Sequence, residues 1–342
     1  MNNKSIERTA VVVLNYKAAD DTIACVDALM KQSISNFTIV LVENGSHDDS
    51  VEKFKKIEIQ YKSRIVLICH DKNLGFTGGV NAGIQWAQNE RYDYVALLNN
   101  DAVADKRWLE ILLNRAEANE ECGIITSLLL HMDGKTIDST GEQYSTWGLS
   151  FPRDRNKKTV SAPAGGYVFG ATGGASLYRM DMLNEIGIFD DIYFAYYEDI
   201  DISFRAQLRN WKIYYEPSAV AFHKQGATSK KMPGFTVQQI FKNLPIVFIK
   251  NVPRGLLFSI GVRLCFAYML IFINAVKNGN ASYAFAGVVK SVPGSLHALR
   301  LRGGVQRHKK VPTAYIKDML WRDLPPDQTG IRKLRKVFTG KD

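Results

Sequence analysis

The stretch YYEDIDISFR, residues 196–205, sets Glu198, Asp199 and Asp201 within four positions behind a run of aromatic residues. Like charges this close repel, so the cluster needs a reason. Acidic residues suit the start of a helix, whose dipole favours negative charge. A buried carboxylate beside a second charged group is also how a general base is made. Asp101 closes the apolar run YVALLNND. There a hard divalent cation, Mg2+ or Mn2+, would find an oxygen ligand to share with substrate phosphates; the plain alternative is an Asp that starts a turn. His223 closes AVAFH and is a second candidate ligand, although a lone His is more often structural. Glycines 75, 78, 79 and 83 would let the backbone approach a nucleotide or phosphate closely. GFTGGVNAG is not followed by the Gly-Lys-Ser/Thr of a phosphate loop, and it fits the dinucleotide fingerprint poorly. There is no GxSxG and no Cys/His pairing that suggests a covalent nucleophile.

The elements that must hold these residues alternate. AVVVLNY, FTIVLVEN, RIVLICH and YVALLNND read as buried strands, with helical segments between them. Ile23, Val26, Leu29 and Met30 recur at helical spacing, SHDDSVEKFKK opens with acids and Ser, and VNAGIQWAQ follows the glycine turn. This rhythm predicts an α/β fold with a doubly wound, mostly parallel sheet, whose ligands sit beyond the carboxyl ends of the strands. Those ends carry Asn15-Tyr16, Glu43 to Ser46, His70-Asp71 and Asn99 to Asp101, so polar groups gather on one rim and favour a cleft. From 130 to 170 the composition predicts short antiparallel strands and loops. GATGGASLYRM then enters a strand and a helix start. Ile200, Phe204 and Leu208 share one helical face, so the acids do open a helix, and Asn210 suits a left-handed cap after it.

The 342 residues can bury a sizeable core. The net charge of +10 hides a division: residues 1–223 hold 23 Lys/Arg against 30 Asp/Glu, and residues 224–342 hold 21 against 4, with no Glu. A basic body implies an anionic partner. Cys25, Cys69, Cys122 and Cys265 are scattered and read as buried thiols in a reducing compartment. The apolar run near the N-terminus is too short for a signal peptide, which implies a cytoplasmic location. Residues 255–276 are long enough to span a bilayer, but Arg263 within them costs roughly 2.5–3.5 kcal/mol on insertion. An interfacial helix is the preferred reading, with a span and a core helix as alternatives.

VVVLNY, VENGSHDDS, NLGFTGGVNAGI, LLNNDA, GATGGASLYR and YYEDIDISFRAQLRNWKI occur in the order and spacing of the family 2 glycosyltransferases. The chain resembles their bacterial rhamnosyltransferase-like branch over about residues 9–228, and more weakly into FKNLPIVFIKN. Each motif alone is loose; six in order are specific. The resemblance implies a GT-A domain over 1–228, a basic, partly hydrophobic helical region over 229–342, and a Mg2+ or Mn2+ cofactor. It also implies an inverting transfer from a nucleotide sugar, dTDP-L-rhamnose in this branch with UDP-sugars as the alternative. Asn99-Asn100-Asp101 stands at the DxD-like motif, with Asp101 as metal ligand and Asn100 near the donor. His223, followed by Ser229, resembles the His that completes the metal site in some relatives. Glu198-Asp199 matches the catalytic pair, with Asp199 the base. Asn15, Tyr16, Glu43, Asn44 and Ser46 match nucleotide-contacting positions, Glu43 standing where Asp is usual. Asn73, Gly75 and Phe76 match the loop over the donor, and Gly173, Gly174 and Asp201 are assigned to the acceptor.

Inversion needs one in-line displacement, so one base and one cation suffice. The implied acceptor is a polyprenyl-diphosphate-linked saccharide, with the basic region resting on the anionic inner face of the cytoplasmic membrane or forming a homodimer. A sugar-nucleotidyltransferase would carry a glycine-rich, basic segment straight after its first strand, where this chain has LNYKAADD. A nucleic-acid-binding module would alternate its aromatics with Lys and Arg, and here they lie in apolar runs, so no nucleic-acid partner is expected.

Overall fold

Apolar runs bounded by polar turns become strands, and the segments between them become helices packed on both faces. A computed structural model describes residues 8–61, 63–224 and 232–326. In chain order the elements are β1 (Thr9–Asn15), α1 (Ala19–Met30), β2 (Phe37–Asn44), α2 (Ser50–Gln60), β3 (Ile65–His70), α3 (Gly75–Asn89), β4 (Tyr94–Leu98), β5 (Ala102–Ala104), α4 (Trp108–Ala118) and β6 (Cys122–His131). The Gly- and Thr-rich stretch gives β7 (Ile137–Ser139), β8 (Glu142–Tyr144), β9 (Ser150–Pro152) and β10 (Gly166–Tyr167), all short and paired antiparallel, as expected. Then come β11 (Ala175–Arg179), α5 (Met180–Ile186), α6 (Glu198–Leu208), β12 (Lys212–His223), α7 (Phe235–Asn251), α8 (Arg254–Lys277), α9 (Ala281–Arg307) and α10 (Thr313–Met319). Asn210 adopts a φ of 70° between α6 and β12, the left-handed turn its type suggested.

The main sheet runs β10-β12-β6-β11-β4-β1-β2-β3, with β5 paired to β12 and β7 to β6. β3, β2, β1 and β4 are parallel; β11 lies antiparallel between β4 and β6, and β12 runs parallel to β6. The chain builds outward from β1 through β2 to β3, then returns to β4 on the other side of β1. A crevice opens where strand order reverses in this way, which places it at the ends of β1 and β4. Val11 and Val13 face one core, Ala10 and Val12 the other, so β1 is buried on both sides.

The glycines of α3 do not all serve the role expected of them. A Cβ on Gly83 would come within 2.6 Å of Val12, and one on Gly79 would collide with Leu14. These two let α3 press onto β1 rather than onto a nucleotide, and a Cβ on Gly78 would meet Leu74 of its own segment. Only Gly75 has positive φ, 76°, and its Cβ would strike the Phe194 carbonyl. The cysteines also divide: Cys25 and Cys122 are buried, whereas Cys69 and Cys265 are exposed, and all four are free.

The domain boundary expected at 228/229, Ser229 and the basic run 331–338 lie outside the described residues. The helices beyond share a core with the sheet domain: Phe169, Phe204, Ile246, Val247, Leu256 and Ile316 belong to one apolar cluster. The join is also ionic. Asp201, fully enclosed on α6, accepts from Arg205 Nε at 2.8 Å, Asn251 Nδ2 at 2.8 Å, Tyr193 OH at 3.1 Å and Lys250 Nζ at 3.0 Å. Burial alone would raise its pKa, but Lys250 and Arg205 hold it well below the usual carboxylate range. This corrects the acceptor role expected of Asp201. With no exposure and partners on both α6 and α7, its carboxylate balances two buried cations instead of facing a cleft.

Candidate active site

The base candidate is aimed by a strained approach. Phe194, Tyr196 and Tyr197 have φ of 63°, 67° and 73°, left-handed for three non-glycine residues in four positions. Such conformations cost about 1–3 kcal/mol each and persist only where the surroundings over-determine them. Here Asn243 on α7 donates to the carbonyls of Ala195 and Tyr196, both at 2.8 Å, and Thr77 N–H donates to Phe194 O at 3.2 Å. The aromatic run is thereby clamped between α7 and the start of α3, and α6 opens with its acids at the rim.

Asp199 is half-buried, and its Oδ1 accepts the Ile200 N–H at 2.8 Å. Burial pushes its pKa up to about 6, against hydrogen bonds from the Ile200 and Gly173 backbones that favour the charged form. Glu198 is only 7% exposed, and its Oε2 has no hydrogen-bond partner among the described residues. Burial first, then the Asp199 charge, drive its pKa well above the ordinary value. Both carboxyls are raised; Asp199, at about 6, is the one suited to act as a base near neutrality, while burial and the Asp199 charge disfavour the ionised form of Glu198. Glu142 on β8, which sequence reasoning missed, is also buried with its pKa driven well up, by burial and then by Asp199.

The cation candidates meet through strand pairing. β5 runs antiparallel to β12 with Ala102 opposite His223, which sets Asp101 beside the imidazole across more than a hundred residues of chain. Asp101 Oδ1 and His223 Nε2 lie 2.9 Å apart, and Asn99 Nδ2 is 3.2 Å from the same nitrogen. The other ring nitrogen, Nδ1, is 2.7 Å from Asp138 Oδ2, whose carboxylate is 1% exposed and paired with Arg155 at 2.9 Å. Burial lowers the His223 pKa, but the Asp101 and Asp138 hydrogen bonds outweigh it and raise it to about 9. Asp138 was also missed, because nothing in the spacing of the Gly- and Thr-rich stretch marks it. Carboxylate, imidazole and cation in line is the usual way a metal-binding His is oriented. The two groups meet directly, so a cation bound here would replace the proton they share, with the Asp101 carboxylate the ligand that suits Mg2+ or Mn2+. No group of three or more His, Cys, Asp or Glu side chains is arranged to hold a metal among the described residues. A cation held here would draw further ligands from substrate phosphates or water. Asp138→Asn should weaken Mn2+ affinity about 10–100-fold, the cost typical of losing such a support; isothermal calorimetry with Mn2+ checks it, and an unchanged affinity would remove Asp138 from this role.

Glycines join the two halves. A Cβ on Gly173 would stand 3.5 Å from the Phe76 ring and 3.8 Å from Asp199 Cβ, and one on Gly174 would stand 3.0 Å from Asn99 Nδ2. The pair thus forms a wall without side chains between the base, the loop at Phe76 and the NND segment. On the nucleotide side, Thr22 Oγ1 donates to Asn15 Oδ1 at 2.8 Å, Asn15 Nδ2 to Ser46 Oγ at 3.2 Å, and Asn100 Nδ2 to Thr22 Oγ1 at 2.9 Å. The ends of β1, β2 and β4 are linked by that chain. Glu43 accepts the backbone N–H of Ser46 at 2.8 Å and of Gly45 at 3.1 Å, so the longer acid closes the turn after β2. Asn44 donates to Gly75 O at 2.9 Å and Asn73 Oδ1 at 3.1 Å, which fixes the loop bearing Phe76. Tyr16, Asn73, Phe76 and Asn100 stay partly exposed along this rim, and Asp101 is nearly enclosed beside His223.

An α/β crevice at the switch point between β1 and β4, with a shielded carboxylate on one wall and the pair of Asp101 and His223 on the other, is the arrangement of a GT-A type glycosyltransferase. The model of glycosyl transferase family 2 matches residues 10–187, and the chain belongs to that family. It is 24% identical over 220 residues to the N-acetylglucosaminyl-diphospho-decaprenol L-rhamnosyltransferase of Mycobacterium tuberculosis, a match covering 57% of this chain and 69% of that one. It is 22% identical over 262 residues to the low-salt glycan biosynthesis hexosyltransferase Agl10 of Haloferax volcanii, covering 73% and 79%. Among solved structures, the mannosyltransferase PcManGT from Pyrobaculum calidifontis in complex with GDP-Man and Mn2+ superposes with a TM-score of 0.55 at 13% identity, covering 99% of this chain and 89% of that one. GalNAc-T7 with UDP, GalNAc and Mn2+ gives 0.57 at 15%, covering 72% of this chain and about half, 48%, of the other. These superpositions bear out the expected fold.

Proposed function

We propose that this glycosyltransferase moves L-rhamnose from dTDP-L-rhamnose, with inversion, to a hydroxyl of a polyprenyl-diphosphate-linked saccharide, in cell-surface polysaccharide synthesis at the inner face of the cytoplasmic membrane. The observation that carries the chemistry is the glycine wall of 173–174, which sets Asp199 and the Asn99–Asp101 segment on one crevice. The donor and acceptor rest on the likeness to the mycobacterial rhamnosyltransferase. The membrane location rests on the basic C-terminal charge and on α8, whose mean hydropathy reaches 2.2.

In this reading Asp199 takes the proton of the acceptor hydroxyl as its oxygen bonds to the anomeric carbon, and the bond from that carbon to the diphosphate breaks on the opposite face. Burial and the Asp199 charge disfavour an ionised Glu198 beside the base. Asp101 and His223 would hold Mg2+ or Mn2+, which when bound neutralises the charge of the departing nucleoside diphosphate. Asn44, Asn73 and Gly75 hold the loop that covers the donor, and Phe76 with Gly173 keeps side chains and water from the point of attack. A thermal-shift screen of nucleotide sugars with and without Mn2+ tests it, since a ligand at about 100 times its Kd stabilises by about 2.7 kcal/mol. dTDP-L-rhamnose should give the largest metal-dependent shift. A larger shift with a UDP-sugar would replace the donor, and none with any nucleotide sugar would overturn the reading.

A further inference from the structure

Two exposed apolar stripes run along the C-terminal helices. On α8 they are Phe258, Val262, Phe266, Met269, Ile273 and Val276; on α9 they are Phe285, Val289, Val292, Leu296 and Leu299. The steps of three and four keep each set on one helical face. Phe258 is 86% exposed and Phe285 63%, well beyond the scattered apolar residues of an ordinary surface. Between the helices the stripes meet in a groove of about 650 Å³, walled by Phe258, Val262 and Leu299 over Phe248.

The opposite face of α8 decides how the helix is used. Leu256, Ile260, Leu264, Ala267 and Ala275 are buried from its first turn to its last. A Cβ on Gly148, in the turn between β8 and β9, would stand 3.1 Å from Leu264 and 3.3 Å from Ile260. The first turns of α8 pack on the sheet domain and its last on Phe241 of α7 and Ala284 of α9, so α8 cannot thread a bilayer without drawing these neighbours in. α8 is the one helix among the described residues long and apolar enough to cross a membrane by length and composition; its packing instead lays it flat.

Charge says what covers the outward face. No acidic residue occurs between His223 and Asp318, while Arg263, Lys277, Lys290 and Arg300 are exposed on α8 and α9. A second copy would bring like charges together. An anionic lipid surface complements them, because its negative potential attracts Lys and Arg held close to it.

We infer that the outward faces of α8 and α9 together form a monotopic docking surface, sunk into one leaflet of an anionic bilayer with both helix axes in its plane. This rests on the reading that the acceptor is lipid-linked, and its test reads membrane binding and nucleotide binding separately. The full chain should float with vesicles of phosphatidylcholine mixed with phosphatidylglycerol. The triple variant Phe258→Glu, Phe285→Glu, Leu296→Glu should lose at least about tenfold in partitioning, because apolar area drives interfacial binding. Its thermal stabilisation by a nucleoside diphosphate and Mn2+ should match the parent, which shows that it folds. Spin labels at 258, 266, 273 and 292, with Cys69 and Cys265 replaced by Ser, should all report one shallow depth. Undiminished flotation of the triple variant would overturn the inference. So would labels deepest at the middle of α8, which mark a span, or a parent dimer that the substitutions dissociate while vesicle binding stays unchanged.

Discussion

Asp199→Asn should slow sugar transfer by about 10²–10⁴-fold, the range over which a positioned base acts, and leave donor binding intact. The amide keeps the size of the side chain and can still accept from the Ile200 N–H through its oxygen, so α6 should start as before. What it cannot do is take a proton. With the parent pKa near 6, kcat/KM should rise with pH to a midpoint near 6 and level off above it, because the group works as a base only when ionised. That limb should vanish in the variant. Glu198→Gln should cost less, since burial and the Asp199 charge already disfavour the ionised form that the amide replaces. Single-turnover rates, with calorimetry of donor binding, check all three. An Asp199 variant that turned over normally would send the search for the base elsewhere.

Asp101→Asn should abolish metal-dependent binding of a nucleoside diphosphate, a larger effect than the one expected at Asp138. Among the described residues Asp101 is the carboxylate paired with His223 Nε2, at 2.9 Å, and a hard cation depends on charged oxygen. The Asn would keep the backbone link from Lys224 N–H to the residue 101 carbonyl, 3.0 Å, so the strand pairing should survive. Calorimetry with Mn2+ and a nucleoside diphosphate should show no metal-dependent component in the variant, and the weak metal-free affinity should equal that of the parent. Equal affinities with Mn2+ present would remove Asp101 from the metal site.

The sequence by itself determined the strand-and-helix rhythm, the polar rim, the helix that Glu198 opens, the left-handed turn at Asn210 and the change of charge near residue 224. Periodicity, capping and charge are local properties, and they survive without knowledge of what lies opposite. Only the tertiary structure decided what each group faces. Asp101 and His223 share a point because β5 pairs with β12, and Asp138 supports the imidazole from a stretch with no legible pattern. Asp201 carries the same charge as Asp199 two positions earlier, yet helical rotation turns it into the ion network of Lys250 and Arg205 while Asp199 stays at the crevice. Gly79 and Gly83 fit a helix onto β1 where sequence alone suggested a phosphate. The run 255–276 read as a surface helix with a span or a core helix as alternatives, because hydropathy counts apolar residues without saying which face is already covered; the packing of Ile260 and Leu264 against Gly148 of the sheet domain covers one face and leaves the other exposed.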